Sequence, residues 1–200
     1  MTSKKTLDWI KNIVDQSLLK MSSSSSPWAM MTPGHVPAEM IDNPKLVDAE
    51  YLKWKPIPST ITDEELNQFE NKIGFKLPLS YRTFLQYKHF VKLYLPNRTI
   101  NLPANMPSTR LKPLEDYIFN YYDPELIIGK GYIYFADFED YALLCFDTNQ
   151  KCADYEYPIV YIFHEELDDI QPYVASFREL ITSDEEHGNR FIDYLNEISP

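Results

Sequence analysis

Apolar residues recur at helical spacing in five stretches of the chain and run almost unbroken in several shorter ones. Leu7, Ile10, Val14 and Leu18 mark one face of a helix over about residues 4–20. Leu66, Phe69 and Ile73 mark a second over 62–73, and Tyr81, Phe84 and Leu85 a third over 79–89. The middle of the chain reads differently. A short strand is expected near Thr99–Leu102, then a short helix, then a strand at Leu126–Ile128. Tyr132–Phe135, Tyr141–Phe146 and Tyr157–Phe163 are apolar runs separated by the turns ADFED and Asp147–Gln150, the pattern of an antiparallel meander. Val174, Phe177, Leu180 and Ile181 restore helical spacing over 174–182. A last helix follows Ser183–Glu186, with Phe191, Ile192, Leu195 and Ile198 on its face. Helices, then strands, then helices predict an α+β fold with an antiparallel-rich central sheet and C-terminal helices.

The second and third helices are punctuated unusually closely. Thr62 and Glu65 stand three apart, where each side chain can bond the other's backbone N–H, and Ile61 and Leu66 stand at the staple positions. Asp63, Glu64 and Glu65 place negative charge in the first turn, where the helix dipole favours it. Gly74 can close the helix in the left-handed conformation. Pro78 suits the start of the next one, where a missing N–H costs nothing. The result is a tight helix–turn–helix. It is not the DNA-reading kind, because its second helix offers only Arg82, Lys88 and His89 among largely aromatic positions.

The 200 residues are 44% hydrophobic, enough for one domain with an appendage. Residues 1–58 read as an N-terminal extension. An amphipathic helix comes first, then a Ser/Pro-rich arm carrying Trp28, Met30 and Met31, then a proline-containing run with Tyr51 and Trp54. The compact domain begins near Ser59 and runs to 200. No apolar run approaches a membrane span or a signal-peptide core, so the expected location is cytoplasmic. Cys145 and Cys152 flank a turn and can face each other across a hairpin, but in a reducing compartment two free thiols are expected. The net charge of −11 is unevenly spread. Residues 1–114 carry 15 basic and 10 acidic side chains, whereas residues 115–200 carry 4 and 20. Such a C-terminal part repels nucleic acid and anionic membranes and attracts a basic protein.

Little here suggests catalysis. Nucleophile motifs and phosphate-cradling loops are absent, five glycines leave few places for close backbone approach, and neither metal-ligand spacing nor a cofactor motif is found. His164-Glu165-Glu166-Leu167-Asp168-Asp169 follows a strand directly and reads as a solvated loop. Asp184, Glu185 and Glu186 read as the acidic first turn of the last helix. The best interaction candidate is the turn bearing Asp137, Glu139 and Asp140, with Tyr141 next to it. A solvated hairpin turn would have the same composition, and both readings stand at this point.

The ordered set ITDEELNQFENKIGFKLPLSYRTFLQY, IIGKGYIYFADFEDYALLCFD, YPIVYIFHEE and VASFRELI resembles the SUKH superfamily, which includes fungal cell-wall assembly regulators and many bacterial immunity proteins. The resemblance covers about residues 59–182. It departs at ADFED, where the family commonly has a glycine-rich acidic turn, and it carries nothing over to residues 1–58. It implies that the helix pair is scaffold packed on one sheet face, with Phe69, Ile73, Phe84 and Leu85 in the core. The closing helix at Phe177 matches the family's Ser-Phe-x-x-Leu. It also implies a non-catalytic immunity protein that blocks a toxin stoichiometrically, such as a nuclease or deaminase whose site is basic because it binds phosphates. The alternative it implies is a regulatory scaffold that recruits signalling or cell-wall proteins.

Overall fold

A computed structural model of the chain describes residues 8–23, 29–46, 49–94, 100–150 and 155–182. Helix α1 (Asp8–Ser23) opens it, followed by three short 3₁₀ turns between Pro33 and Leu46. Strand β1 (Ile57–Pro58), helices α2 (Asp63–Ile73) and α3 (Leu79–Leu85) and strand β2 (Lys88–His89) come next. Then follow β3 (Ile100–Asn101), helix α4 (Lys112–Asp116), β4 (Tyr132–Phe138), β5 (Ala142–Asp147), β6 (Ile159–Phe163), β7 (Ile170–Val174) and helix α5 (Phe177–Thr182). Strands β3 to β7 form one antiparallel sheet in chain order, and β1 pairs with β2. The fold is α+β, as the spacing of apolar residues predicts.

The joint between α2 and α3 is built as its punctuation implies. Thr62 Oγ1 accepts from the Glu65 N–H at 3.2 Å, and Glu65 Oε2 accepts from the Thr62 N–H at 2.9 Å. Gly74 sits at φ +80 and its N–H donates to the Glu70 carbonyl, while Pro78 caps α3. What the sequence concealed is Glu70. It lies on the buried side of α2, with only 2% of its side chain exposed. Its carboxylate accepts from Lys76 Nζ at 2.8 Å, Arg82 at 2.7 Å and the Leu77 N–H at 3.1 Å. Burial alone would raise its pKa, but these donors outweigh burial and hold the carboxyl below its ordinary range. One carboxylate thus ties together α2, the turn and α3.

The apolar faces of the helices meet the sheet through a nest of rings. Tyr81 and Phe84 of α3, Phe135 of β4, Phe146 of β5 and Phe177 of α5 are all 2% exposed or less. Tyr81 lies 5.2 Å from Phe146 and 5.3 Å from Phe177, edge to face, and Phe135 stacks on Phe146 at 4.3 Å. Edge-to-face packing lets the positive rim of one ring meet the negative face of the next. Leu114, Ile118, Ile127 and Ile128 are also buried in this core. Strand β5 is buried along its whole length, as expected of a central strand covered on both faces.

Several elements differ from the sequence-based expectation. Helix α3 ends at Leu85 and not at residue 89, because Lys88 and His89 pair with β1. His89 is fully buried; its Nε2 accepts from the Thr60 N–H at 2.9 Å and its Nδ1 faces Asn105 Oδ1 at 2.8 Å. Leu126–Ile128 is not a strand. Asp123 caps a 3₁₀ turn at Pro124–Leu126, and a second turn, Ile128–Lys130, ends at Gly131 (φ +86) before β4 begins. Strand β4 runs three residues longer than expected, to Phe138, so Asp137 is a strand residue. Val174 closes β7 and does not open a helix. Helix α1 extends to Ser23, and Ile10, Val14, Leu18 and Met21 on it are each 3% exposed or less, in the same core as α3 and α5. Cys145 is a free thiol buried in β5, and burial pushes its pKa up. The first turn of the expected N-terminal helix, Trp28, Thr99, Cys152, and residues 183–200 with the expected last helix all lie outside the described residues.

Candidate partner-binding surface

Strands β4 and β5 are joined by Glu139, Asp140 and Tyr141, and all three are exposed. Glu139 holds φ +52, a left-handed position where a side chain costs about 1 kcal/mol and glycine would be the easy choice. Strands β6 and β7 are joined by residues 164–169. The two turns stand side by side, because the His164 N–H donates to the Tyr141 carbonyl at 2.9 Å. Glu165, Glu166 and Asp168 in the second turn are exposed, so this end of the sheet gathers carboxylates from two separate sequence runs. Asp168 pairs with Lys130, and Asp169 accepts from Gln171. Between residues 131 and 177 the only lysine or arginine is Lys151, outside the described residues.

Antiparallel register decides what lies next to these acids. Phe138 stands opposite Ala142, which stands opposite Phe163, and Leu144 stands opposite Tyr161. By alternation these side chains share the face of Phe146, the face that α3 and α5 cover further along the strands. Towards the turns that face is finished by rings. Phe138 lies 5.6 Å from Tyr141, 6.1 Å from Tyr161 and 5.3 Å from Tyr173. Tyr141 stacks against Phe163 at 5.8 Å, and Tyr161 lies 5.3 Å from Phe163. Tyr141 is 40% exposed and Tyr173 37%, and the other three rings are half-buried. Partial burial, with the adjacent Glu139 and Asp140 carboxylates, pushes the Tyr141 phenol above its ordinary value.

The structure separates the expected site residues. Glu139, Asp140 and Tyr141 are together on the turn. Asp137 is not with them: it pairs with Leu143 and Asn101, and alternation turns it to the opposite sheet face. There its carboxylate accepts from Tyr134 at 3.1 Å and Tyr117 at 3.2 Å. Burial raises its pKa despite these bonds. Tyr117 opens a π-helical turn, Tyr117–Tyr121, and stacks on both Tyr121 (4.7 Å) and Tyr134 (4.5 Å). The expected trio of carboxylates is therefore an exposed pair above an inward-facing Asp137.

Sequence reasoning missed Phe138, Tyr161, Phe163 and Tyr173. Tyr161 and Phe163 alternate with Val160 and Ile162, which are also apolar, so nothing marks the two faces of β6 in the sequence. The second acidic turn was visible but carried no sign that it adjoins the first. Residues 164–169 form no metal centre: among the described residues no three His, Cys, Asp or Glu side chains converge, and the His164 ring lies against Tyr122 at 5.6 Å. Among the described residues no helix is long and apolar enough to cross a membrane.

Residues 60–183 match the SMI1 / KNR4 family (SUKH-1), a span from the cap of α2 through α5 that includes both acidic turns and all five rings. A search of curated proteins finds no relative. The resemblance seen in the ordered sequence blocks, the α+β fold and this match over more than half of the chain agree: the chain belongs to the SMI1/KNR4 (SUKH-1) family.

Proposed function

We propose that this protein is a non-catalytic immunity protein that neutralises a basic toxin domain by stoichiometric binding. Membership of the family supports an immunity or cell-wall-regulator kind of role, with protein partners. The observation that favours immunity is the end of the sheet where Glu139, Asp140, Glu165 and Glu166 rim an exposed aromatic face. Aromatic residues anchor interfaces, and an acidic rim accelerates encounter with a basic partner. A nuclease or deaminase that binds phosphates has the complementary charge. Keeping Glu139 in a left-handed conformation fits a turn selected for its charge and shape more than for stability.

The test is co-expression with any toxin-like domain found encoded beside this gene. Growth should be rescued by the parent. Charge reversal of Glu139 and Asp140 together with Tyr141→Ala should weaken rescue while circular dichroism and the denaturation midpoint stay close to the parent's. Undiminished rescue would make the turn a solvated hairpin. Absence of any toxic neighbour would favour the scaffold role.

A further inference from the structure

We propose that the aromatic end of the sheet recognises arginine in preference to lysine, so that the partner docks through at least one guanidinium laid on Tyr141. This rests on the reading that this end is the contact surface. Two chemistries stand within a side chain's reach of each other at this turn. Tyr141 shows 40% of its surface to solvent, and Glu139 and Asp140 immediately precede it. A group that docks here meets a ring face and a carboxylate together. An ammonium is a compact, strongly hydrated charge, and it satisfies a carboxylate best while keeping its water. A guanidinium is planar and weakly hydrated; it lies flat on a ring and still offers its edge to a carboxylate in a fork.

Among the described residues, the cations that lie over rings lie elsewhere. Lys11 and Lys88 lie over Tyr87, Lys72 over Phe119, Lys92 over Tyr94 and Arg178 over Trp9. Among the described residues no lysine or arginine lies over Phe138, Tyr141, Tyr161 or Phe163. With no cation from the described residues over it, Tyr141 offers its exposed ring to a cation from a partner, and the surrounding charge selects for one. A second copy of this chain would bring an equally acidic end and is disfavoured. Strand addition at β7, the last strand of the sheet, is hindered at Pro172. Phe163 bonds Asp169 and Tyr161 pairs with Gln171, so the alternation leaves Pro172 facing outward, where it has no N–H to give an incoming strand.

The experiment uses the full chain, isotope-labelled, titrated with an arginine–serine peptide and with the lysine–serine peptide of equal length and charge. The arginine peptide should bind about fivefold tighter or more, the difference expected of a stacked cation. Its side-chain protons should shift upfield by ring current, and amide shifts in the protein should centre on residues 138–142 and 161–173. Tyr141→Phe should keep the preference, and Tyr141→Leu should abolish it while salt-sensitive binding of both peptides persists. Equal affinities for the two peptides, or shifts centred elsewhere, would overturn the proposal without reference to any variant. Failure of the parent protein to rescue growth, with the arginine preference intact, would instead count against the immunity role.

Discussion

At the scale of single residues, two positions carry the joint on which the helix layer is hung. Gly74 holds φ +80, and a Cβ there would meet nothing within 4 Å. The cost of a side chain is therefore backbone strain alone. Gly74→Val should lower stability by about 1–2 kcal/mol in chemical denaturation, and Gly74→Asn by less. Glu70 makes a different prediction. Its carboxyl titrates below the ordinary 4.5 in the folded state. Its contribution is therefore complete above that value and disappears as pH falls through the depressed one. Glu70→Gln should cost about 1.5–3 kcal/mol at neutral pH, because Lys76, the Leu77 N–H and Arg82 lose a charged acceptor while Arg82 keeps Asp63 and Asn67, and should flatten the loss of stability below pH 4.5. Stability curves measured across that range would show it. Gly74 was legible because a left-handed cap has a chemical signature in sequence. Glu70 was not, because a buried carboxylate shares its spacing with solvated ones and only Arg82, twelve residues on, reveals the difference.

At the scale of elements, legibility followed pattern strength. Helix α2 was readable to within a residue because cap, staple and stop are all written locally. Helix α3 was read too long, since the aromatic residues after Leu85 continue to look apolar while pairing with β1 is a non-local choice. Strand β7, which contains Pro172 and is largely exposed, has no apolar run to announce it. The arrangement of residues 8–58 was hidden for the same reason. Asp15 accepts from Tyr87 and from Lys88, each at 2.6 Å, and no sequence signal joins positions so far apart. We propose that the family domain begins at Ser59 and that residues 1–58 are an N-terminal extension, of which helix α1 packs on that domain's core. Residues 59–200 alone should then unfold cooperatively, but at a lower midpoint. Removing Ile10, Val14, Leu18 and Met21 uncovers apolar surface on the core they share with α3 and α5, at roughly 1.5–3 kcal/mol for each buried side chain. A truncated chain with no cooperative transition would make the N-terminal segment part of the folding unit itself.

At the scale of the whole molecule, charge is polarised along the sequence. The C-terminal 86 residues hold 20 of the 30 acidic side chains and 4 of the 19 basic ones. The fold concentrates part of that excess at one end of the sheet, beside the exposed rings. Long-range charge governs how fast a partner arrives, whereas buried rings govern how long it stays. The central claim is capture of a basic toxin domain at this end, and it is tested most directly by association kinetics with the neighbouring gene's toxin domain at increasing salt. The on-rate of the parent should fall steeply as the screening length shrinks to about 10 Å near 0.1 M salt. Glu139→Lys with Asp140→Lys should lower that on-rate and flatten its salt dependence, and Tyr141→Ala should act mainly on the off-rate. An on-rate indifferent to salt, or unchanged by both charge reversals, would contradict the account.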